Sequence, residues 1–164
     1  MFNKLFGKKN NSETTIYAPV DGEIIPLSEV QDPVFSEKMM GDGVAIKPIN
    51  KTVVAPIEGK IIQVFETKHA VGIQSSNGVE TLIHIGLETV GMNGEGFQSF
   101  VDAEDTVEPG DRLISFDMEL VKEKAASDII LVIITNTNDM KSIDSVNGKE
   151  VRAGQNAILK TEVK

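Results

Sequence analysis

Short runs of alternating apolar and polar residues, separated by glycine and proline, make up most of the chain. Almost no stretch repeats with the 3.6-residue period of an amphipathic helix, whereas Val- and Ile-rich runs bounded by turn residues are typical of strands. The pattern predicts an all-β fold, an antiparallel β-sandwich or barrel with one or two short helices. With 164 residues in the chain, we expect one domain over residues 15–164 after a flexible tail over residues 1–14.

Two pairs of similar segments predict that the domain contains a duplicated motif. Residues 16–25 and 53–62 both read A-P-aliphatic-acid-G-x-I-I, and residues 105–114 and 149–158 share V-x-x-G and a terminal apolar residue. Proline ahead of a short strand and glycine at its bend suit strands that turn the corners of a sandwich. The repeats therefore indicate architecture and do not point to catalysis.

One stretch, residues 117–126, has a helical pattern. Asp117 can cap its N-terminus, and Lys122 and Lys124 near its C-terminus interact favourably with the helix dipole. The apolar run that follows, residues 129–135, predicts a continuous buried strand, and the polar residues after it predict a turn.

Both histidines of the chain flank a predicted β-hairpin. Asn77 and Gly78 lie between two β-rich runs, and the dipeptide Asn-Gly favours a two-residue type I′ loop. Such a loop pairs Ser76 with Val79 and thereby sets the register of both strands.

The predicted register places both histidines on one face of the hairpin. His69 and His84 become diagonal neighbours with backbones roughly 7–8 Å apart, so that both rings can contact one small group. Three apolar side chains would form a rim around them: Val71, Ile73 and Leu82. The opposite face would be core and carries Ala70, Gly72, Ile83 and Ile85. The alternative is that the two histidines are ordinary core residues.

Four apolar residues cluster in the predicted loop at residues 32–43: Val34, Phe35, Met39 and Met40. Such residues either pack in the core or, when exposed, form an adaptable docking surface.

The composition argues against binding to nucleic acid. The formal net charge is -9 and the pI is near 4.7, whereas phosphate binding needs a basic face. The absence of cysteine excludes disulfides and thiolate zinc sites and is compatible with a reducing compartment. Since there is neither a signal-peptide core nor an apolar run of about 18 residues, we expect a cytoplasmic protein.

Residues 1–9, M-F-N-K-L-F-G-K-K, form a small basic amphipathic pattern in an otherwise acidic chain. Two interpretations remain open, a disordered tail and a peripheral membrane contact.

Five segments together resemble a known family: V-F-S-E-K-M-M-G-D-G-V-A-I-K-P at 34–48, V-A-P-I-E-G at 54–59, F-E-T-K-H-A at 65–70, L-I-H-I-G-L-E-T-V at 82–90 and N-G-E-G-F at 93–97. The family is the glucose-family IIA component (enzyme IIA) of the bacterial phosphoenolpyruvate-dependent sugar phosphotransferase system. The resemblance covers about residues 15–162.

The resemblance implies a cytoplasmic, monomeric β-sandwich phosphocarrier that works through a phosphohistidine and requires no cofactor. His84 would accept a phosphoryl group from the carrier HPr and pass it to a IIB domain of a glucose-type permease. His69 would stabilise the phosphoryl oxygens, oriented by the hydroxyl of Thr67. His84 would need its other ring nitrogen held by an acceptor, such as a backbone carbonyl near Gly86.

The resemblance also implies a partner-binding face around the two rings, formed by Val34, Phe35, Met39, Met40, Phe65, Val71, Leu82 and Glu88. Glu88 stands where the family often has aspartate, which keeps the charge on a longer side chain.

Two other functional classes share parts of this sequence pattern. A duplicated-sandwich zinc peptidase would need a further histidine at the position of Gly86, although His69 and His84 could share a weakly bound zinc ion with a carboxylate from a partner. A biotinyl or lipoyl carrier would need a lysine between two methionines, and neither Met39-Met40 nor Met140-Lys141-Ser142 provides it.

Overall fold

The computed structural model describes residues 12–146 and 149–164 and has an antiparallel β architecture. The strands are β1 Glu13–Tyr17, β2 Gly22–Pro26, β3 Asp42–Pro48, β4 Thr52–Val54, β5 Gly59–Val64, β6 Ala70–Gln74, β7 Glu80–Leu87, β8 Phe97–Ser99, β9 Thr106–Val107, β10 Arg112–Phe116, β11 Ser127–Ile134, β12 Met140–Ser145, β13 Glu150–Val151 and β14 Ala157–Val163. The helices are α1 Pro33–Ser36 and α2 Met118–Lys124, with 3₁₀ turns at Leu27–Glu29, Thr89–Met92 and Thr137–Asp139.

Three sheets contain these strands. The largest has eight strands in the order β13-β2-β3-β11-β7-β6-β5-β9, and two three-stranded sheets have the orders β1-β14-β12 and β4-β10-β8. The predicted all-β class with two short helices is confirmed, and over the described ranges the sheets pack as a sandwich without closing into a barrel.

The repeated segments pair with each other, which confirms the predicted duplication. The N–H of Tyr17 donates to the carbonyl of Pro56, and the N–H of Val54 donates to the carbonyl of Pro19. These bonds are equivalent by a shift of 37 residues. Two further pairs of backbone hydrogen bonds are equivalent in the same way. The N–H of Gly110 donates to Ala55 as that of Gly154 donates to Ala18, and the N–H of Ile61 donates to Asp105 as that of Ile24 donates to Lys149.

The central part of the large sheet is buried on both of its faces. In β11 the side chains of Ile130, Val132 and Ile134 belong to the main core between the sheets. Ile129, Leu131 and Ile133 belong to a second, smaller apolar cluster on the opposite face. A strand buried on both faces is expected to be continuously apolar, as this one is. We call this second group the outer cluster, and both histidines lie against it.

Short segments cover the outer cluster. Helix α1 begins at Pro33, and the Asp32 carboxylate caps it by accepting from the N–H of Val34 at 3.0 Å. This cap places Phe35 in the outer cluster together with Leu27 and Val30. The sequence pattern predicted a loop here, and the local capping signal was overlooked.

The predicted hairpin register is wrong by one residue. The loop contains three residues, since the N–H of Ser75 bonds to Val79, and β6 pairs with β7 as Ala70 with His84. The Ser75 hydroxyl donates to the Asn77 side chain and accepts from the N–H of Val79, which stabilises the longer loop. Gly78, with φ 96°, occupies its left-handed position, as is usual for three-residue hairpins.

Of the expected tail, residues 1–14, the structure describes residues 12–14. Residues 1–9, with their amphipathic pattern, lie outside the described residues, and β1 already begins at Glu13, two residues before the expected domain boundary. Among the residues that the structure describes, no helix is long and apolar enough to cross a membrane.

Candidate functional site

The two histidine rings meet on the outer face of the large sheet. Their centroids are 4.8 Å apart and their planes are nearly perpendicular, at 85°. The prediction that both rings are close is confirmed, but the backbone conformation that brings them together differs from the predicted one. His69 precedes β6, after Lys68 with φ 59°. Because that turn interrupts the alternation of the strand, the ring of His69 contacts His84 and not the main core.

A hydrogen bond sets the orientation of the His84 ring. Its Nδ1 lies 3.0 Å from the carbonyl oxygen of Gly86. Since a carbonyl can only accept, Nδ1 carries the proton and Nε2 carries the lone pair in the neutral ring. Gly86 has φ 78°, a left-handed conformation in which its carbonyl can turn back toward the ring.

His69 is the deeper of the two rings. It is 3% exposed, its Nδ1 lies 2.6 Å from the hydroxyl oxygen of Thr67, and its ring packs edge-on against Phe65 at 5.5 Å. If the Thr67 hydroxyl donates this hydrogen bond, Nε2 of His69 carries the proton. The pair then combines one ring nitrogen with a lone pair and one with a donor proton.

Comparison with known proteins decides the family. The family model for the phosphoenolpyruvate-dependent sugar phosphotransferase system, EIIA 1, matches residues 14–140. The chain belongs to this EIIA family. It is therefore a component of a phosphotransferase system whose general activity is phosphoryl transfer.

Full-length relatives and a solved structure agree with this assignment. The chain is 51% identical to the PTS system glucose-specific EIIA component of Bacillus cereus over 100% of both chains. It is 44% identical to the same component of Staphylococcus aureus, over 100% of this chain and 96% of the other. The glucose permease IIA from Mycoplasma capricolum superposes with a TM-score of 0.85 at 42% identity, over 90% of this chain and 95% of that one.

Three of the predicted docking residues of this EIIA protein are buried. Val71 is 0% exposed and lies in the main core, because the true register turns it away from the histidines. Phe35 and Leu82 are 4% and 6% exposed and belong to the outer cluster. The ring of Phe35 lies 5.1 Å from that of His84, tilted by 57°. Phe35 and Leu82 thus support the site from inside, and Ile73, predicted for the rim, is also in the main core.

The remaining predicted docking residues reach the surface. Met39 is 69% exposed, and Val34 and Met40 are each 38% exposed. Phe65 is partly buried and Glu88 is exposed. Val90, at 58% exposed, was not selected from the sequence, although it ends the segment that contains His84. Apolar side chains at this exposure are available to a partner.

Burial keeps both rings neutral near pH 7. Burial lowers the pKa of His84 to about 4, and the neighbouring His69 lowers it as well, whereas the hydrogen bond to Gly86 and the Asp32 carboxylate raise it. Burial also lowers the pKa of His69. The sequence-based selection missed Asp32, although Asp before Pro is a recognisable helix start.

The pKa of His84 predicts the pH dependence of the site. Protonation of Nε2 removes the lone pair, so the fraction of His84 rings with a free Nε2 lone pair should stay near one down to about pH 5 and reach half near pH 4. Because the folded pKa lies below the unfolded value of 6.5, the unfolded chain binds the proton first, and the stability of the fold should fall as the pH drops from about 6.5 to about 4. A ¹H–¹⁵N NMR titration of the two imidazoles checks this, and a His84 midpoint near 6.5 would contradict it.

The described residues provide no complete metal site around the two rings. Within residues 12–146 and 149–164, no cluster of three or more His, Cys, Asp or Glu side chains could hold a metal ion. A zinc ion bound by His69 and His84 would need a further ligand from outside these ranges.

Proposed function

We propose that His84 accepts a phosphoryl group from phospho-HPr and passes it to a IIB domain, coupling sugar uptake to sugar phosphorylation. The hydrogen bond from Nδ1 to the Gly86 carbonyl carries this proposal, because it leaves Nε2 as the nucleophile. The lowered pKa of the ring supports it further, since a neutral imidazole keeps that lone pair at physiological pH.

The transfer step exchanges one phosphorus–nitrogen bond for another. The Nε2 lone pair of His84 attacks the phosphorus of phospho-HPr in line with the departing imidazole nitrogen of HPr. The new bond forms as the old one breaks, the old bonding pair returns to HPr, and His84 becomes a phosphohistidine. In the second transfer a nucleophilic side chain of IIB attacks the phosphorus, the bond to Nε2 breaks, and its electron pair returns to His84. Such transfers depend mainly on positioning and on stabilising the equatorial oxygens.

His69 is suited to stabilise those oxygens. Its ring lies 4.8 Å from that of His84, and Thr67 holds its Nδ1. With Nε2 protonated, His69 can donate to the phosphoryl group, and the added negative charge would raise the pKa of His69 and strengthen that hydrogen bond. No cofactor is required for these steps, and the zinc alternative is limited to an interface with a partner.

The partners follow from the family and from the relatives. Because similar chains are glucose-specific EIIA components, we infer that the IIB acceptor belongs to a glucose-type permease. The protein would act as a cytoplasmic monomer, and any contact of residues 1–9 with membranes would be additional to the transfer.

A single reconstitution tests the proposed function. The full chain is incubated with phosphoenolpyruvate, enzyme I and HPr, and the product is examined by mass spectrometry and by NMR of ¹⁵N-labelled imidazoles. We expect one phosphoryl group per chain, bound at Nε2 of His84. Phosphorylation at His69, or none at all, would reject the assignment.

Met40, which is partly exposed, gives a prediction about partner docking. Met40→Asp should weaken HPr binding about tenfold without unfolding the chain, because a partly exposed apolar contact worth about 1–2 kcal/mol is lost. Phe35→Asp is the contrasting control and should lose its folded circular dichroism signal, since the new charge would be buried. If Met40→Asp also unfolds, Met40 is a core residue; if its affinity is unchanged, Met40 does not dock.

A further inference from the structure

A fully buried threonine, Thr89, lies at the turn that ends β7 and has no part in the transfer described above. Its hydroxyl donates to the carbonyl of Ile85 at 2.6 Å. Ile85 stands between His84 and Gly86, and its own N–H donates to the carbonyl of His69 at 2.7 Å. The Thr89 hydroxyl therefore holds a residue whose backbone is joined to both histidines.

The methyl group of the same side chain restricts Gly86. A Cβ atom at Gly86 would lie 2.4 Å from Cγ2 of Thr89 and 2.8 Å from the carbonyl oxygen of Ser127. These two groups thus close the Cβ side of Gly86, which is in a left-handed conformation with φ 78°. Close contact on this side limits how far the Gly86 carbonyl can turn away from His84.

We propose that Thr89 is a positioning residue for the phosphoryl acceptor. Its hydroxyl fixes the Ile85 carbonyl and its methyl group fixes Gly86, so that the Gly86 carbonyl holds Nδ1 of His84 and Nε2 presents its lone pair. This role deepens the proposed function and rests on it only for the identity of the accepting atom. The tautomer of His84 is a property of the unphosphorylated chain and is measured without any partner.

A purely structural role for Thr89 makes a different prediction, and the chain offers a matched control. Thr161 is also buried, at 3% exposed, and its hydroxyl donates to the carbonyl of Ser142 at 2.8 Å. It lies in β14, in the sheet β1-β14-β12, which contains neither histidine. Thr161→Val therefore removes the same kind of hydrogen bond away from the site.

The experiment compares Thr89→Val, Thr89→Ala, Thr89→Ser and Thr161→Val in the full chain. Imidazole ¹⁵N shifts report the His84 tautomer, and single-turnover loading from phospho-HPr reports acceptance. Thr89→Val and Thr89→Ala should show a mixture of His84 tautomers and load about ten- to a hundredfold more slowly, because the reacting atom is misplaced. Thr89→Ser should restore the single tautomer and most of the rate, and Thr161→Val should match the wild type in both measurements.

Several outcomes would overturn the proposal. A folded Thr89→Val chain with the wild-type tautomer would do so, as would a mixed tautomer in Thr161→Val. Loss of the folded state in both Thr89→Val and Thr89→Ala would show that Thr89 stabilises the fold and does not specifically position the His84 ring. If the wild type accepts no phosphoryl group, the proposed function fails separately, and the tautomer measurement still decides the role of Thr89.

Discussion

His84→Gln is expected to accept no phosphoryl group from phospho-HPr. Glutamine has a similar reach, but its amide nitrogen has no available lone pair, so the phosphorus–nitrogen bond cannot form. The fold and HPr binding should be largely unchanged, because the ring is only partly buried and its loss introduces no charge. Single-turnover loading from phospho-HPr measures phosphoryl acceptance. Circular dichroism measures the fold, and a binding assay measures the affinity for HPr.

His69→Gln is the paired variant and should still become phosphorylated. It keeps the nucleophile and replaces the Nε2 donor with an amide of similar length. Its defect should appear in discharge to IIB, slowed by about a hundred- to a thousandfold, because a well-placed donor to the phosphoryl oxygens is lost. Should His69→Gln refuse the group while His84→Gln accepts it, the two roles are reversed. If both accept, the site is elsewhere.

Gly86→Ala is expected to be among the most damaging substitutions at the site. A left-handed conformation costs alanine about 1–2 kcal/mol. The contacts of the new Cβ with Thr89 and the Ser127 carbonyl add about 1–3 kcal/mol of overpacking. Because the turn must move, the Gly86 carbonyl should release the His84 ring, and loading from phospho-HPr should slow. Urea unfolding and single-turnover kinetics measure the two effects.

Gly78→Ala provides the control for the backbone cost alone. Gly78 also has a positive φ, 96°, but among the described residues no heavy atom other than those of its chain neighbours lies within 4 Å of a Cβ placed there. This variant should lose only about 1–2 kcal/mol and keep its phosphoryl acceptance. Equal losses of stability in the two variants would show that the Thr89 and Ser127 contacts are relieved at little cost.

Local features of the structure could be predicted because their causes are local. Asp117 caps α2 by accepting from the N–H of Leu120, and the helix Met118–Lys124 lies inside the predicted range. In β7 the alternation correctly assigned Ile83 and Ile85 to the core and His84 to the opposite face. Capping and a two-residue period need no knowledge of distant neighbours. The motif around His84 likewise identified the family from residues alone.

The register of β6 could not be predicted from such local signals. The dipeptide Asn77-Gly78 fits a two-residue loop, yet hydrogen bonds of the Ser75 side chain stabilise a three-residue loop instead. A shift of one residue exchanges the two faces of a strand, so Val71 and Ile73 moved from the predicted rim into the main core. The choice between the two loops depends on the Ser75 side chain, which lies outside the Asn77-Gly78 dipeptide.

The chain by itself predicted the candidate site residues: two histidines, a threonine beside one of them, and a glycine after the other. Only the tertiary structure decided how they meet. The left-handed turn at Lys68 brings His69 onto the His84 face, and helix α1 buries Phe35 against the ring while leaving Met40 exposed. The burial of the rings and the contact between them arise from segments far apart in sequence. They depend on packing, which a pattern along one strand does not encode.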